Sequence, residues 1–239
     1  MDLLKVSTSD LKKEIDRRQA CESKPQRNII LLGPPGSGKG TQSYNIIQEF
    51  CYCQLSTGDL LRENVAKKTP AGIKAKEAMD KGLFVADEVV NEILLNAINS
   101  PSCSRGIIFD GYPRNSEQAE NLDKLLQKTN RKLDKVVELK INPEELFERI
   151  DGRRIHVESG RTYHVKFNPP KNEGIDDVTG EPLIHRNDDR KEVLQSRLDL
   201  YNNKTAPIAD YYKKQGILSS VVASGNINSI YNQIKNNLI

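Results

Sequence analysis

The sequence predicts an α/β fold in which helices flank a parallel β-sheet of five strands. From residue 28 onward, short apolar runs alternate with segments of helical periodicity, which is typical of parallel sheets covered on both faces. A glycine-rich loop, residues 33–41, stands directly between the first apolar run and the first helical segment. Residues 152–189 interrupt the alternation with four glycines and three prolines, which predicts a small antiparallel β unit inserted between two helices.

The N-terminal segment, residues 1–27, precedes this alternation and is mostly polar. Pro25 is expected to end any helix there. We expect a packed or loosely docked extension without chemistry of its own, and a docking segment for a partner protein is the alternative. Its apolar residues are spaced for one amphipathic helix: Leu3, Leu4, Leu11 and Ile15.

The remaining elements follow from the apolar runs and the helical patterns between them. Pro207 is expected to kink the last helix because it lacks an N–H group. The predicted strands are residues 29–32, 54–56, 107–109, 136–141 and 220–222. The predicted helices are residues 41–50, 59–68, 87–98, 116–127, 143–150 and 191–214.

The charge balance excludes several classes of protein. The chain has 239 residues, with 36 Lys and Arg against 33 Asp and Glu, a net charge of +3. Global disorder by self-repulsion would require a much larger net charge. The small charge does not indicate a nucleic-acid partner. The apolar runs are far shorter than the roughly 18 residues of a membrane helix, so we expect a soluble globular protein without a membrane partner.

The four cysteines indicate neither a disulfide framework nor a zinc site. They are few for the length of the chain, and Cys51 and Cys53 have no second cysteine pair to complete a metal site. We therefore expect reduced thiols in a cytoplasmic protein. The N-terminus lacks a secretory signal and carries acidic residues that a mitochondrial transit peptide avoids, although residence in the mitochondrial intermembrane space stays possible.

The glycine-rich loop predicts a phosphate-binding site. Glycines allow consecutive backbone N–H groups to turn toward a phosphate, and the N-terminus of the following helix adds partial positive charge. Lys39 supplies a mobile charge for the β- and γ-phosphates. The general pattern places Ser or Thr directly after the lysine, whereas here Gly40 intervenes before Thr41.

Asp110 ends a predicted strand at the sheet edge where α/β proteins bind ligands. A carboxylate at this place can hold Mg²⁺ through water, because Mg²⁺ gives up its water ligands reluctantly. Asp59 is a weaker second candidate.

Four further motifs resemble those of adenylate kinases, in the expected order. They are residues 56–62 (STGDLLR), 109–114 (FDGYPR), 152–156 (GRRIH) and 186–189 (RNDD). The resemblance runs from residue 28 to about residue 222, leaves residues 1–27 outside, and indicates the form with a long lid. It implies a P-loop NTPase-type core (residues 28–55, 86–151 and 190–239), a helical AMP-binding insertion (56–85) and a lid (152–189).

The resemblance also implies which residues bind each nucleotide. Those implied for ATP are Gly36, Ser37, Gly38, Lys39, Gly40, Thr41, Arg153, Thr162, Tyr163 and Arg149, which would stack on adenine. Those implied for AMP are Thr57, Arg62, Leu83, Phe84, Val85, Gly111, Tyr112, Pro113, Arg114 and Gln118. Arg186 and Arg197 would bridge the reacting phosphates, and the implied catalytic set is Lys39, Asp110, Arg114, Arg153, Arg186 and Arg197.

Arginines suit this chemistry because phosphoryl transfer spreads charge over equatorial oxygens, which the planar guanidinium binds bidentately. Arg186 and Arg197 would lie about 16 Å apart on one continuous helix, at ~1.5 Å per residue, too far to act together. We therefore expect Arg186 on the lid stem, with Asp188 or Asp189 capping the following helix.

The implied activity is that of a monomeric enzyme of adenine nucleotide homeostasis, which converts ATP and AMP to two ADP with Mg²⁺. A GTP:AMP phosphotransferase of the same fold is the nearest alternative, although Thr57 favours the ATP-using enzyme. A UMP/CMP kinase is disfavoured by the long lid, and a non-catalytic nucleotide sensor by the retained Lys39 and arginines. Some relatives hold zinc in the lid; the corresponding residues here, His156, Ser159, Asp176 and Thr179, suit hydrogen bonds better.

Overall fold

The computed structural model describes residues 6–239, apart from the side chains of residues 187, 191 and 192. Leu3 and Leu4, predicted on the N-terminal helix, lie outside this part of the chain. A five-stranded parallel sheet forms the centre, with the order β2-β3-β1-β4-β7. The strands are β1 (Asn28–Leu32), β2 (Cys53–Ser56), β3 (Ile107–Asp110), β4 (Lys135–Lys140) and β7 (Leu218–Val222), and a separate antiparallel pair is β5 (Arg153–Ile155) and β6 (Thr162–His164).

Ten α-helices stand in the described part of the chain. They are α1 (Thr8–Glu22), α2 (Lys39–Phe50), α3 (Thr57–Ala66), α4 (Pro70–Asp80), α5 (Asp87–Ile98), α6 (Ser116–Lys128), α7 (Pro143–Asp151), α8 (Lys191–Leu200), α9 (Ile208–Lys214) and α10 (Ile227–Leu238). The patterns missed α4 and α10. None of the helices in residues 6–239 is long and apolar enough to cross a bilayer.

The core lies on both faces of the sheet because the central strand is buried throughout. Ile30 and Leu32 point into a cluster with α5 and α6, and Ile29 and Leu31 into a second cluster with α2 and α10. Full burial on both faces explains why these strands read as continuous apolar runs rather than as alternating ones. The predicted fold class is therefore confirmed.

The last long helix is interrupted where Pro207 was expected to disturb it. A π-helical turn, Tyr201–Thr205, separates α8 from α9, and Pro207 directly precedes α9. Proline cannot donate the backbone hydrogen bond that a continuous helix needs at this position. The single helix predicted over residues 191–214 is thus two helices joined by this turn.

Helices α3 and α4 pack closely at Gly72, which predicts a stability effect. A Cβ atom at residue 72 would stand 2.1 Å from the carbonyl oxygen of Asn64 and 2.6 Å from the backbone nitrogen of Val65. Because backbone atoms cannot turn aside, Gly72→Ala is expected to destabilise the protein by about 2 kcal/mol, which lowers Tm by roughly 5 °C. Thermal unfolding checks this, with exposed Lys74→Ala on the same helix as control; an unchanged Tm for Gly72→Ala would contradict it.

The lid is organised around a buried carboxylate. Asp176 accepts hydrogen bonds from the Arg161 side chain (2.8 and 2.6 Å) and from the Tyr163 hydroxyl (3.0 Å). The four residues at the zinc-binding positions of some relatives are hydrogen-bonded here. His156 Nδ1 lies 2.7 Å from Ser159 Oγ, and Thr179 Oγ1 lies 3.3 Å from His156 Nε2 and donates to Asp176 at 3.0 Å. The expected hydrogen-bond network is present.

The cysteines correct the expectation of reduced thiols. Cys21 is bonded to Cys51, and Cys53 to Cys103, with Cα–Cα distances of 5.9 and 4.8 Å. Both distances suit a disulfide. Separations of 30 and 50 residues along the chain gave no signal for these pairs; only the fold brings them together.

The N-terminal helix also docks differently from its prediction. It ends before Pro25, as expected, but Ile15 is 55% exposed. Cys21 is its one buried residue, and Arg17 donates to the carbonyl oxygen of Ile47 on α2 at 3.0 Å. The apolar pattern therefore identified the helix but not its docking face.

Candidate active site

A cavity of about 610 Å³ opens at the carboxyl ends of β1, β2 and β3. This is the edge at which open α/β sheets bind ligands. Every residue predicted for ATP, AMP, magnesium or catalysis lines this cavity. The fold thus brings together the P-loop, the insertion, the lid and the end of β3, although the role of each residue remains a prediction.

The loop after β1 has the geometry of a phosphate cradle. Gly36 and Gly38 have φ angles of 82° and 93°, which side chains with a Cβ atom rarely adopt. Gly38 is the N-cap of α2, so the N-terminus of this helix faces the cavity. Ser37 Oγ is buried and has no hydrogen-bond partner among the described atoms. Such a group is costly to bury unless a ligand satisfies it.

Lys39 has neutral partners in this loop. Its Nζ donates to the carbonyl oxygens of Gly33 (2.8 Å) and Pro34 (3.0 Å). Loss of solvation inside the protein lowers the pKa of Lys39 to about 8, and the charges of Arg197, Arg114 and Arg153 act in the same direction. Asp110 opposes this shift. A bound phosphate would supply the negatively charged partner that this ammonium group lacks.

The lowered pKa predicts a pH dependence. Above pH 8 the free enzyme loses the Lys39 proton, and with it the charge that attracts the triphosphate. The kcat/KM for ATP, which reports groups of the free enzyme, should fall about tenfold per pH unit from pH 8 upward. Initial rates between pH 6.5 and 9.5, with ATP and AMP both well below their KM values so that the nucleotide-free enzyme predominates, check this. A flat profile up to pH 9.5 would contradict it.

Asp110 lies at the end of β3 and accepts a 3.0 Å hydrogen bond from Gln54 Nε2 on β2. Burial raises the pKa of its carboxyl group, while Lys39 opposes the shift. This carboxylate and the Thr41 hydroxyl both line the cavity and offer oxygen atoms as metal ligands, the kind that Mg²⁺ prefers. Asp59 fits less well, because it is bound by Arg62 (2.8 Å) and Arg186 (2.6 Å).

The arginines on the insertion side differ in their partners. Arg62 contacts Asp59 and, at 3.2 Å, Asp188. Arg114 has no carboxylate partner within the described residues; its Nε donates to the carbonyl oxygen of Gly111 at 2.6 Å. Burial first, and then the charges of Arg197 and Arg62, lower the pKa of Arg114 to about 10. Arg114 is thus a partly buried cation suited to an anionic ligand.

The arginines on the lid side are held by carboxylates. Arg153 pairs with Asp189, and its Nε donates to Oδ2 at 2.9 Å. Arg197 lies 3.1 Å from Asp188 and 3.3 Å from Asp189. The expected capping role of these aspartates is wrong, because α8 begins at Lys191 without a side-chain cap. The expected position of Arg186 ahead of α8 is confirmed.

Three residues of the site bind other side chains of the site in a way that the sequence patterns did not indicate. Asp188 and Asp189 were assigned to helix capping, and the RNDD motif was the signal that could have indicated their pairing with arginines. Gln54 gave no signal, since its contact with Asp110 depends on the register of β2 and β3.

Hydrogen bonds hold two side chains of the predicted base pocket in place. Thr57 Oγ1 donates to the carbonyl oxygen of Gly111 at 2.8 Å. Gln118 is buried, donates to Asp87 and accepts from the backbone N–H of Arg114 at 2.7 Å. Leu83, Phe84 and Val85 border the same end of the cavity. Thr57 and Gln118 are therefore held in place, with Gln118 connecting this pocket to Arg114.

Comparison with known proteins agrees with this geometry. The family model described as adenylate kinase matches residues 31–217. "Adenylate kinase 4" of Arabidopsis thaliana is 50% identical over 98% of this chain and 95% of its own length. "Adenylate kinase 4" of Oryza sativa subsp. japonica is 54% identical (91% and 90% coverage), and "Adenylate kinase" of Kluyveromyces lactis 50% (86% and 91%).

The Arabidopsis match reaches into residues 1–27, which the motif comparison had left outside the resemblance. Both the family model and the relatives cover most of the chain and agree on one family. The chain belongs to the adenylate kinase family.

Proposed function

We propose that this chain catalyses the reversible transfer of the terminal phosphoryl group of ATP to AMP, giving two ADP. The observation that carries this is the single cavity with two phosphate-binding ends. The P-loop with Lys39 forms one end, and Arg62 with Arg114, which has no carboxylate partner among the described residues, forms the other. Two nucleotides bound there would meet with their phosphates between the arginines.

The protein's part in the reaction is positioning and charge neutralisation. A phosphate oxygen of AMP attacks the γ-phosphorus of ATP as the bond to the β-phosphate oxygen breaks, so no protein nucleophile is required. Lys39 and the P-loop N–H groups hold the ATP phosphates, and Arg114 with Arg62 holds the AMP phosphate. Arg153, Arg186 and Arg197 act on the transferred group, whose equatorial oxygens carry the spread charge.

The acidic partners of these arginines hold them ready before nucleotides bind. Asp59, Asp188 and Asp189 fix the guanidinium groups of Arg62, Arg186, Arg197 and Arg153 around the cavity. Phosphates would exchange with these carboxylates as ligands. Closure of the lid and the insertion excludes water, which would otherwise accept the phosphoryl group.

Magnesium belongs to this proposal as well. Asp110 and the Thr41 hydroxyl would hold the ion through water, and the bound ion would neutralise charge on the ATP phosphates. Gln54 orients the Asp110 carboxylate from the neighbouring strand.

The test is phosphorus NMR of the purified protein with Mg²⁺ and AMP, with ATP in one sample and GTP in another. Growth of ADP signals with ATP alone is the expected result. Faster reaction with GTP would instead identify a GTP:AMP phosphotransferase with the same site. Absence of reaction in both samples, from protein that binds nucleotide, would contradict the proposal and favour a sensor.

We also propose that the enzyme works as a monomer, because one chain supplies every residue lining the cavity; its mass in solution tests this. A cytoplasmic location is retained as a proposal. The two disulfides support the mitochondrial intermembrane space as the alternative, since stable disulfides are rare in the cytosol. Imaging of the tagged full chain distinguishes the compartments.

A further inference from the structure

The N-terminal extension, defined here as residues 8–27, contacts the core in several regions. Arg105, which stands before β3, donates to the carbonyl oxygens of Cys21 and Lys24 (3.2 Å to the latter), and Arg27 donates to the carbonyl oxygen of Ile239 (3.4 Å). A further region is the C-terminal end of α2 and the residues that lead into β2. The only covalent link of its helix to this region, within the described chain, is the Cys21–Cys51 disulfide. The other contacts are polar: Arg17 to the carbonyl of Ile47 (3.0 Å), Lys24 to Glu49 (3.5 Å), and the Tyr52 hydroxyl to the carbonyl of Pro25 (2.7 Å).

The two sulfur atoms of this disulfide differ in their surroundings. Cys21 is 1% exposed, whereas Cys51 follows the last residue of α2 and is partly exposed. The guanidinium group of Arg17 lies 3.0 Å from Cys51 Sγ and is held in place by Glu14 at 2.8 Å. A cation at hydrogen-bond distance favours the thiolate form of a cysteine. Cys51 is therefore both the accessible sulfur and the one whose thiolate is stabilised.

The second disulfide has a different setting. Cys53 begins β2, and Cys103 stands five residues after α5 ends at Ile98 and is 1% exposed, so the bond joins two elements of the core. In the described part of the chain no guanidinium group donates to either of its sulfur atoms. It therefore serves as an internal comparison within the same protein.

From these contacts we propose that Cys21 and Cys51 form a thiol–disulfide site for a small-molecule thiol of the glutathione class, which controls whether the extension is anchored covalently. In reduction, the incoming thiolate attacks Cys51 Sγ, the Cys21–Cys51 bond breaks, and Cys21 takes the electron pair and then a proton. A second thiol attacks the small-molecule sulfur of the mixed disulfide and releases Cys51 as a thiolate beside Arg17. The protein gains two electrons, and the two small thiols leave as one disulfide.

Oxidation follows the same path in reverse. The Cys51 thiolate attacks a small-molecule disulfide, and Cys21 then displaces the small thiol from Cys51. Arg17 assists both directions because it stabilises Cys51 as leaving group and as nucleophile. This site does not depend on the phosphotransfer activity, so each proposal can fail without the other.

The first test is limited trypsin digestion of the full chain after equilibration in oxidised or reduced glutathione, with mass spectrometry of the cysteine peptides. The extension offers exposed cleavage sites at Lys12, Lys13 and Arg18. Reduced protein should be cleaved there about tenfold faster than oxidised protein. Cys21→Ser should be cleaved at the fast rate in both buffers, and the Cys53→Ser/Cys103→Ser control should keep the redox dependence.

Two results would overturn the proposal. One is an equal cleavage rate in the two buffers for the wild-type chain. The other is Cys21 recovered as a free thiol, or paired with a cysteine other than Cys51, from the oxidised sample.

The second test measures the role of Arg17 by alkylation of Cys51 with iodoacetamide between pH 6 and 9. The Cys21→Ser background keeps Cys51 free of its partner, while the polar contacts of Arg17, Lys24 and Arg105 keep the extension docked between more frequent releases, so Arg17 stays beside Cys51 for most of the time. Adding Arg17→Gln should raise the apparent pKa of the Cys51 thiol by about one unit. Arg18→Gln is the matched control, since Arg18 also contacts Glu14 (2.7 Å) but, within residues 6–239, no sulfur atom. An unchanged pH profile for Arg17→Gln would remove Arg17 from the mechanism and overturn the proposed chemistry.

Discussion

Replacing Lys39 with methionine is expected to lower kcat about 1,000-fold, the largest effect of any single substitution proposed for this chain. The methionine side chain has a similar length but no charge. Lys39 stands on the P-loop, and its hydrogen-bond partners in the described part of the chain are two neutral carbonyl oxygens, so its charge is available to the phosphates. Preorganised charge facing the transition state accounts for such large losses when it is removed.

The KM for ATP should change far less than kcat, because the P-loop N–H groups and Arg153 remain. Steady-state rates with ATP and AMP measure both constants. Lys128→Met, at the exposed end of α6, is the control and should leave both unchanged. Thermal unfolding confirms that the Lys39 variant is folded. A folded variant with a kcat within tenfold of wild type would exclude this role for Lys39.

The sequence predicted the fold well because its signals are local. Buried strands such as 29–32 read as apolar runs, and the glycine-rich loop fixes the turn between β1 and α2. The missed helix α4 begins with Pro70 at its first position after Thr69, whose hydroxyl accepts from the N–H of Gly72. These start signals were available. Its apolar residues are few and small, so hydrophobic periodicity did not reveal it.

The placement of the predicted residues on one cavity could be foreseen, because motifs place them at the ends of strands and on the lid. The side chains with which they form ion pairs could not be predicted in the same way. Asp188 and Asp189 were expected to cap a helix, but the folded lid stem brings them between Arg153 and Arg197, where charge attraction is stronger than a cap. The disulfides were not predicted for the same reason, since Cys21 reaches Cys51 only through the docking of α1. Contacts between distant segments depend on tertiary packing, which local patterns do not contain.

Arg114→Ala is expected to reduce kcat/KM for AMP about 100- to 1,000-fold, the second large effect. A bidentate, charge-assisted contact to a phosphate is among the strong hydrogen-bonding arrangements, and its loss costs about 3 kcal/mol or more. The main chain around Arg114 is held independently of its side chain. Its N–H donates to Gln118 Oε1 (2.7 Å), and its carbonyl accepts from the Thr205 hydroxyl (2.8 Å). The substitution therefore removes the guanidinium group without moving the loop.

The same substitution should not lower the stability of the nucleotide-free protein. Burial and the nearby Arg197 and Arg62 lower the pKa of Arg114 to about 10, which means that the protein disfavours this charge when no anion is bound. Alanine relieves that cost, so the Tm without nucleotide should equal or exceed that of the wild type, while the increase in Tm caused by AMP should be lost. A charge that destabilises the free protein but is needed to bind a ligand is an example of the conflict between stability and function.

Arg149→Ala provides the control at the opposite end of the cavity, because Arg149 pairs with Glu145 (3.1 Å) and is assigned to ATP. It should raise the KM for ATP and leave that for AMP unchanged. Arg114→Lys, which keeps the charge but loses the planar fork, should fall between wild type and Arg114→Ala. If Arg114→Ala instead impaired ATP and AMP equally, Arg114 would belong to the transferred phosphate rather than to the acceptor. A lower Tm without nucleotide would show that its guanidinium group supports the fold.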